Sequence, residues 1–218
     1  MKKLLLLCFL LAILFNAKAQ DLIRFDSEGK IGFKNQQGEI VIPADTYYPD
    51  SFHDGLLTIQ INDKYGGINI NGRIVVPFKY DYITDFYKGY AAVLLDNTVR
   101  IIDVSGKEVK KLKYTRLGWY KDDIVNVGLD DKFGRIYIAT GEEIIPPIYE
   151  SIPRFYKEEY GFITRAQLNG KWGFIDKLGN VIVPIEYDSV RYYSNGQLRA
   201  TKDGKDFYFD KTGKKIEK

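Results

Sequence analysis

Cysteine, methionine and histidine occur once each in this chain of 218 residues, and tryptophan twice. Cys8 and Met1 both lie in the first 19 residues, so without that segment the chain has neither disulfide nor thiol chemistry. A chain of this size can bury enough apolar surface to fold without disulfides. One histidine cannot build a His/Cys metal cluster, and no segment has the calcium-loop spacing with its terminal glutamate. No cofactor or metal is expected.

An excess of one charge is also missing. Lys2 and Lys3, the apolar run Leu4 to Phe15 and then Ala17-Lys18-Ala19 have the layout of a secretory signal peptide. The run is too short to cross roughly 30 Å of hydrocarbon as a helix. Cys8 sits inside it instead of at the cleavage point, against a lipid anchor. Cleavage is expected after Ala19, with export of residues 20–218 to the periplasm, outer envelope or medium. That removes three lysines and no acids, so Lys+Arg falls from 32 to 29 against 29 Asp+Glu. A formally neutral chain has no cationic footing for nucleic acid. No later stretch approaches a membrane span.

What the chain does have is a period. Gly38, Gly72, Gly106, Gly141, Gly179 and Gly213 follow one another at intervals of 34, 34, 35, 38 and 34 residues. Such spacing marks a repeat architecture. Three residues earlier stand Asn35, Asn69, Asp103, Ile138, Asp176 and Asp210. Asx-x-x-Gly is hairpin chemistry: the side chain accepts backbone hydrogen bonds, and glycine takes the left-handed conformation that closes the turn. Runs such as Ile74-Val75-Val76 and Val181-Ile182-Val183 follow, each ended by a proline (Pro43, Pro77, Pro146, Pro184).

A second hairpin precedes the first in five units, at Asn62-Asp63, Asp96-Asn97, Asp130-Asp131, Asn169-Gly170 and Asp203-Gly204. Each unit therefore reads as a three-stranded antiparallel meander. Leu57–Ile61 and Ala92–Leu95 are its outer strand in the second and third units, and a fourth short strand is expected around Tyr80, Tyr114, Tyr149 and Tyr187. One such sheet cannot cover its own apolar face, so the units must stack. Residues 20–218 are expected to form a single all-β domain of about six ~35-residue repeats, either an open curved β-solenoid or a propeller-like arc, nearly without helix.

The unit Lys171-Trp172-Gly173-Phe174-Ile175-Asp176 through Pro184 and Tyr187-Asp188 resembles the WG-containing bacterial repeat. Lys30-Ile31-Gly32, Lys64-Tyr65-Gly66 and Lys132-Phe133-Gly134 are weaker copies. The third unit departs furthest, with Arg100 for the strand glycine and Lys111 for the proline, and the sixth has Phe207 for the glycine. The resemblance implies architecture and carries no catalytic motif. A glycine within a strand signals close approach, so Gly32, Gly66, Gly134 and Gly173 are expected where a neighbouring unit's ring packs. Trp172 is expected in the core.

Catalysis has few parts available. His53, in Asp50-Ser51-Phe52-His53-Asp54, aligns with Tyr87 one unit on and so occupies a generic loop position, and a triad needs residues assembled by geometry. The acid pairs Asp122-Asp123, Asp130-Asp131, Glu142-Glu143 and Glu158-Glu159 read as solvated turns, since neighbours on a strand point to opposite faces. Aromatic residues recur before the outer strand at Phe52, Phe86, Tyr120, Phe155 and Tyr192, as a core ladder would. Beside this ladder stand His53, Tyr87, Tyr156 and Tyr193, and Trp119 precedes Tyr120. If the ladder points inward, Tyr87, Trp119, Tyr156 and Tyr193 form a partly exposed aromatic edge able to bind ligand.

The sequence therefore points to an exported, non-catalytic binding or scaffold protein of the cell envelope, with a protein, peptide or glycan as its partner. The alternative is an envelope enzyme acting on glycans through carboxylates that the fold brings together.

Overall fold

The computed structural model describes residues 21–47, 51–154 and 162–217. These form six antiparallel sheets that follow one another along the chain. Sheet 1 is β1 (Ile23–Ser27), β2 (Lys30–Lys34) and β3 (Ile40–Tyr47); sheet 2 is β4 (Leu56–Ile61), β5 (Lys64–Asn69) and β6 (Ile74–Tyr80). Sheet 3 is β7 (Tyr82–Ile83), β8 (Tyr90–Leu95), β9 (Thr98–Asp103) and β10 (Glu108–Lys111); sheet 4 is β11 (Arg116–Lys121), β12 (Ile124–Leu129), β13 (Lys132–Tyr137) and β14 (Glu143–Tyr149). Sheet 5 is β15 (Thr164–Leu168), β16 (Lys171–Ile175) and β17 (Val181–Tyr187); sheet 6 is β18 (Ser189–Tyr192), β19 (Leu198–Lys202), β20 (Lys205–Phe209) and β21 (Lys215–Ile216). There is no α-helix among the described residues.

Both hairpins form as their residue types require. Positive φ at Asn62 (51°) and Asp63 (61°), and again at Asp130 (47°) and Asp131 (60°), matches the two-residue turn whose twist suits paired strands. The first unit makes the same turn with Glu28 and Gly29, a pair that the sequence pattern did not single out. In the second hairpin Asp176 Oδ1 accepts from the amides of Leu178 (2.8 Å) and Asn180 (2.9 Å), and Asn69, Asp103 and Asp210 repeat the arrangement. In sheet 4 the turn is one residue longer, and the Gly141 amide reaches the Tyr137 carbonyl at 2.8 Å.

The fourth strand is present as β7, β11 and β18, but it belongs to the sheet that follows. Tyr80, Tyr149 and Tyr187 end the third strand of one sheet, and the next residue crosses to its neighbour. The amides of Asp81, Thr115, Glu150 and Asp188 each donate at 2.9 Å to a carbonyl of the next sheet, at Leu94, Gly128, Gln167 and Thr201. In sheet 5 this strand shrinks to a bridge between Ser151 and Gln167. In sheets 3, 4 and 6 the strand expected to be outermost is correspondingly not a margin, whereas in sheet 2 β4, which holds Leu57–Ile61, is at the margin as expected. Ile124–Gly128 of β12 is buried at every position, while β10, at the far side of its sheet, is exposed throughout.

The strand glycines also differ from expectation. A Cβ on Gly173 would lie 2.5 Å from the Val183 carbonyl oxygen and 2.8 Å from Ile185 Cα, and Gly134 faces the Pro146-Pro147 backbone in the same way. At these two positions what approaches is the proline-bearing strand of the same sheet; at Gly32 and Gly66 the nearest atoms include a ring, of Phe25 and Phe78, which again belongs to the same sheet and not to a neighbouring unit. The register explains it, since Trp172 pairs with Tyr187 but Phe174 pairs with Val183, so the third strand carries extra residues that bow over the glycine.

Five apolar clusters fill the five junctions between consecutive sheets. From sheet 5, for example, Phe174 and Val183 meet Leu198, Ala200 and Phe209 of sheet 6. No cluster among the described residues joins sheet 6 back to sheet 1. The six units form an arc, of propeller-like or solenoid kind, whose core is spread over its junctions, as expected when each repeat contacts only its neighbours.

Candidate functional site

The expected aromatic edge lies at the end of the sheets that carries the Asx-x-x-Gly turns. Tyr87 stands just before the tight turn Lys88–Gly89, is partly exposed, and has the Lys88 ammonium 5.0 Å from its ring centre. Trp119 lies within an irregularity of β11, where the register shifts between Leu117 and Tyr120. It too is partly exposed. Tyr193 follows β18 and packs edge-on against Tyr208 at 5.3 Å, within its own sheet. Tyr156 lies outside the described residues, as do Phe155 and the Glu158-Glu159 pair. Of the ladder rings described, Phe86 is buried at 2% exposure, while Phe52, Tyr120 and Tyr192 are partly buried and pack against the apolar clusters.

His53 aligns with Tyr87, as its loop position implies, and is partly solvated. It nevertheless has a specific neighbour. Its Nε2 lies 3.6 Å from Oδ2 of Asp85, whose other oxygen accepts from Thr58 Oγ1 at 2.8 Å. The Tyr120 phenol lies beside the same carboxylate; burial first, and then the Asp85 charge, push it above the ordinary range. Burial likewise raises Tyr82, with the charges of Tyr65 and Asp85 as smaller causes. The Tyr82 ring meets Tyr65 edge-on at 5.5 Å. Asp85 thus collects a hydroxyl and an imidazole from unit 2, a neighbouring phenol from its own unit and a phenol from unit 4.

Backbone geometry brings these three units together. Asp54 Oδ2 accepts from the Gly89 amide at 2.6 Å, tying the tight turn of unit 2 to that of unit 3. Lys88 Nζ lies 3.7 Å from Asp123 Oδ2, carrying the link on to unit 4. Sequence reading passed over Asp85 because neither its residue type nor its spacing repeats: Ser51, Trp119 and Arg191 hold its place in other units. The available clue was its position directly before a ring of the inward ladder.

A second polar group is structural. Arg135 is fully buried; its Nε donates to Asn126 Oδ1 at 2.9 Å and its Nη2 to the Pro153 carbonyl at 3.2 Å. Desolvation pulls its pKa down to about 10. Asn126 Nδ2 donates to the Ile152 carbonyl at 2.8 Å and Thr164 Oγ1 to that of Pro153 at 2.8 Å. Together they pin the segment leading from sheet 4 to sheet 5.

Among the described residues, the carboxyls whose pKa departs from the ordinary range are lowered, each by a donor or cation beside it, as with Asp81, Glu143 and Asp188. No group of three or more His, Cys, Asp or Glu side chains among the described residues could hold a metal ion. No helix among them is long and apolar enough to cross a membrane.

The family model "WG containing repeat" matches residues 31–65, 65–98, 139–172 and 172–205, more than half of the chain. Curated proteins yield no match. Among solved structures, the chain is similar to Hsv2p of Kluyveromyces lactis at 11% identity and a TM-score of 0.43, covering 76% of this chain and 60% of that one. It is also similar to the AfRom2 CNH domain at 10% identity and a TM-score of 0.42, covering 90% and 82%.

Proposed function

This chain belongs to the WG-containing repeat family, and on that premise we propose that it is an exported, non-catalytic binding protein that takes an envelope glycan at the Asp85 end of sheets 2 to 4. The observation that carries the reading is the convergence of three consecutive units on one partly solvated carboxylate. A carboxylate flanked by Thr58, His53 and Tyr120 offers both acceptors and donors to sugar hydroxyls. The partly exposed rings of Tyr87 and Trp119 stand two residues after Asp85 and one before Tyr120, and supply faces on which pyranose C–H surfaces can stack. Export rests on the signal-peptide pattern of residues 1–19.

Residues 20–218 are tested by thermal shift and calorimetry against soluble cell-wall glycan fragments, because a ligand of the folded state alone raises its melting temperature. A saturable shift in the parent protein, lost in Asp85→Asn and in Tyr87→Ala/Trp119→Ala, is expected. Undiminished glycan binding by both folded variants would reject this site.

A further inference from the structure

The residues gathered around Asp85 come from the border strands of three sheets. Thr58 lies on β4, Tyr82 on β7 and Tyr120 on β11, each at the margin of its sheet. Two members of the group do not repeat. Where unit 3 has Tyr82 and Asp85, the following units have Arg116 and Trp119, Ser151 and Arg154, and Ser189 and Arg191. The stacking of the array therefore does not call for a phenol and a carboxylate at these places.

The Asp85 carboxylate also lacks the cation that its neighbours have. Asp81 pairs with Lys64 at 2.6 Å and Asp123 with Lys88 at 3.7 Å, whereas among the described residues no lysine or arginine pairs with Asp85. His53 Nε2, at 3.6 Å, stands beyond hydrogen-bond reach, and the Asp85 side chain is 37% exposed, so a ligand can approach it. Aromatic residues surround the approach. Tyr82 meets Tyr65 edge-on at 5.5 Å and lies within electrostatic reach of Tyr120, and all three side chains are partly exposed. Both Tyr82 and Tyr120 are held above the ordinary phenol range, so they stay neutral beside the carboxylate.

We infer that the glycan taken at this end carries a free ammonium group, as a de-N-acetylated amino sugar does, and that the ammonium sits on Asp85 among Tyr65, Tyr82 and Tyr120. This rests on the reading of the Asp85 end as a glycan site and names the group recognised there. An ammonium donates a charge-assisted hydrogen bond to a carboxylate, stronger than the bond from a sugar hydroxyl or an acetamide. Aromatic rings add an attraction for a cation that neither neutral group receives.

The test is calorimetry on residues 20–218 at about pH 6, where amines are protonated and an ordinary carboxyl is ionised. The probes are chitotetraose, its fully de-N-acetylated form, cellotetraose, and N-acetyl-L-lysine amide as an ammonium without a sugar. The de-N-acetylated tetramer is expected to bind at least about tenfold more tightly than either neutral tetramer, with a preference that shrinks as salt is added. Asp85→Asn should reduce its affinity to that of chitotetraose. Tyr82→Leu should narrow the preference, and Tyr82→Phe, which keeps the ring, should retain it. Each variant is read where its melting transition stays cooperative. Equal binding of all three tetramers, lost in Asp85→Asn, would overturn the ammonium and leave the glycan site standing. A preference undiminished in Asp85→Asn would overturn its placement. The lysine amide binding as tightly as the de-N-acetylated tetramer would keep the ammonium on Asp85 and overturn the glycan reading, and no heat with any probe would overturn both.

Discussion

Lys171 Nζ donates to Asp188 Oδ1 at 2.6 Å, joining the residue that opens the W-G strand to the residue at which the chain leaves its sheet. The other oxygen of Asp188 accepts the Asp203 amide at 2.9 Å, so one carboxylate holds the exit of sheet 5 and the turn of sheet 6. Lys64–Asp81 at 2.6 Å and Lys132–Glu150 at 3.1 Å repeat the ion pair. The third unit has the uncharged Thr98 and Thr115 at these places and keeps only the amide bond to the next sheet, from Thr115 to the Gly128 carbonyl, that the other units also make.

These pairs predict a pH dependence. The Lys171 hydrogen bond holds Asp188 below its ordinary range, the Lys64 hydrogen bond does so for Asp81, and the Gly170 amide is the main cause for Glu150. A carboxyl lowered in the folded state contributes stability that is complete above its unfolded pKa, about 4, and is lost as pH falls through the lower native value. The melting temperature should hold between pH 5 and 7 and fall below about pH 4. Asp188→Asn should flatten part of that fall, as read by calorimetry across the acid range.

Two turn glycines with similar backbone angles should respond differently to alanine. Gly38 has φ 85° with nothing within 4 Å of a built Cβ, whereas at Gly213, φ 84°, a Cβ would run into the Ile182 carbonyl of sheet 5. Gly38→Ala should cost about 1–2 kcal/mol for the left-handed conformation alone. Gly213→Ala should cost clearly more in urea unfolding; equal costs would show that the turn does not dock on the preceding sheet.

Trp172 and Phe174 provide a second contrast. Phe174 is fully buried and should lose about 3–5 kcal/mol on truncation to alanine. Trp172 is only partly buried, packs on the rim of the same cluster and has the Arg165 guanidinium 5.8 Å from its ring. Its truncation should cost about half as much, because less apolar area leaves water. Chemical denaturation of the two variants measures the difference.

Arg135→Ala removes the partner of Asn126 Oδ1 and one partner of the Pro153 carbonyl, in a site with little water. A loss on the order of 3 kcal/mol is expected. Hydrogen exchange should rise first in β15, which those contacts hold in place, ahead of β4 and β5.

The turns, the period and the all-β class were legible in the sequence because they rest on local chemistry. An Asx side chain can satisfy its own turn, and positive φ at Asn, Asp or Gly needs no distant partner. The inward ladder was legible for the same reason, from period and alternation. Less local features were misread. The strand glycines answer to a bulge in their own sheet, and that bulge arises from a mismatch in strand length across the hairpin that spacing alone does not reveal.

Sequence alone determined how many units there are, where most of them turn and which strands pair within a hairpin. Tertiary structure decided to which sheet the fourth strand belongs, that the described units stack as an arc, and that Asp85 meets His53, Thr58 and Tyr120. The physical reason is range. Hairpin hydrogen bonds act between residues a few positions apart, whereas the Asp85 cluster depends on the angle at which whole sheets pack, which the apolar junctions set together.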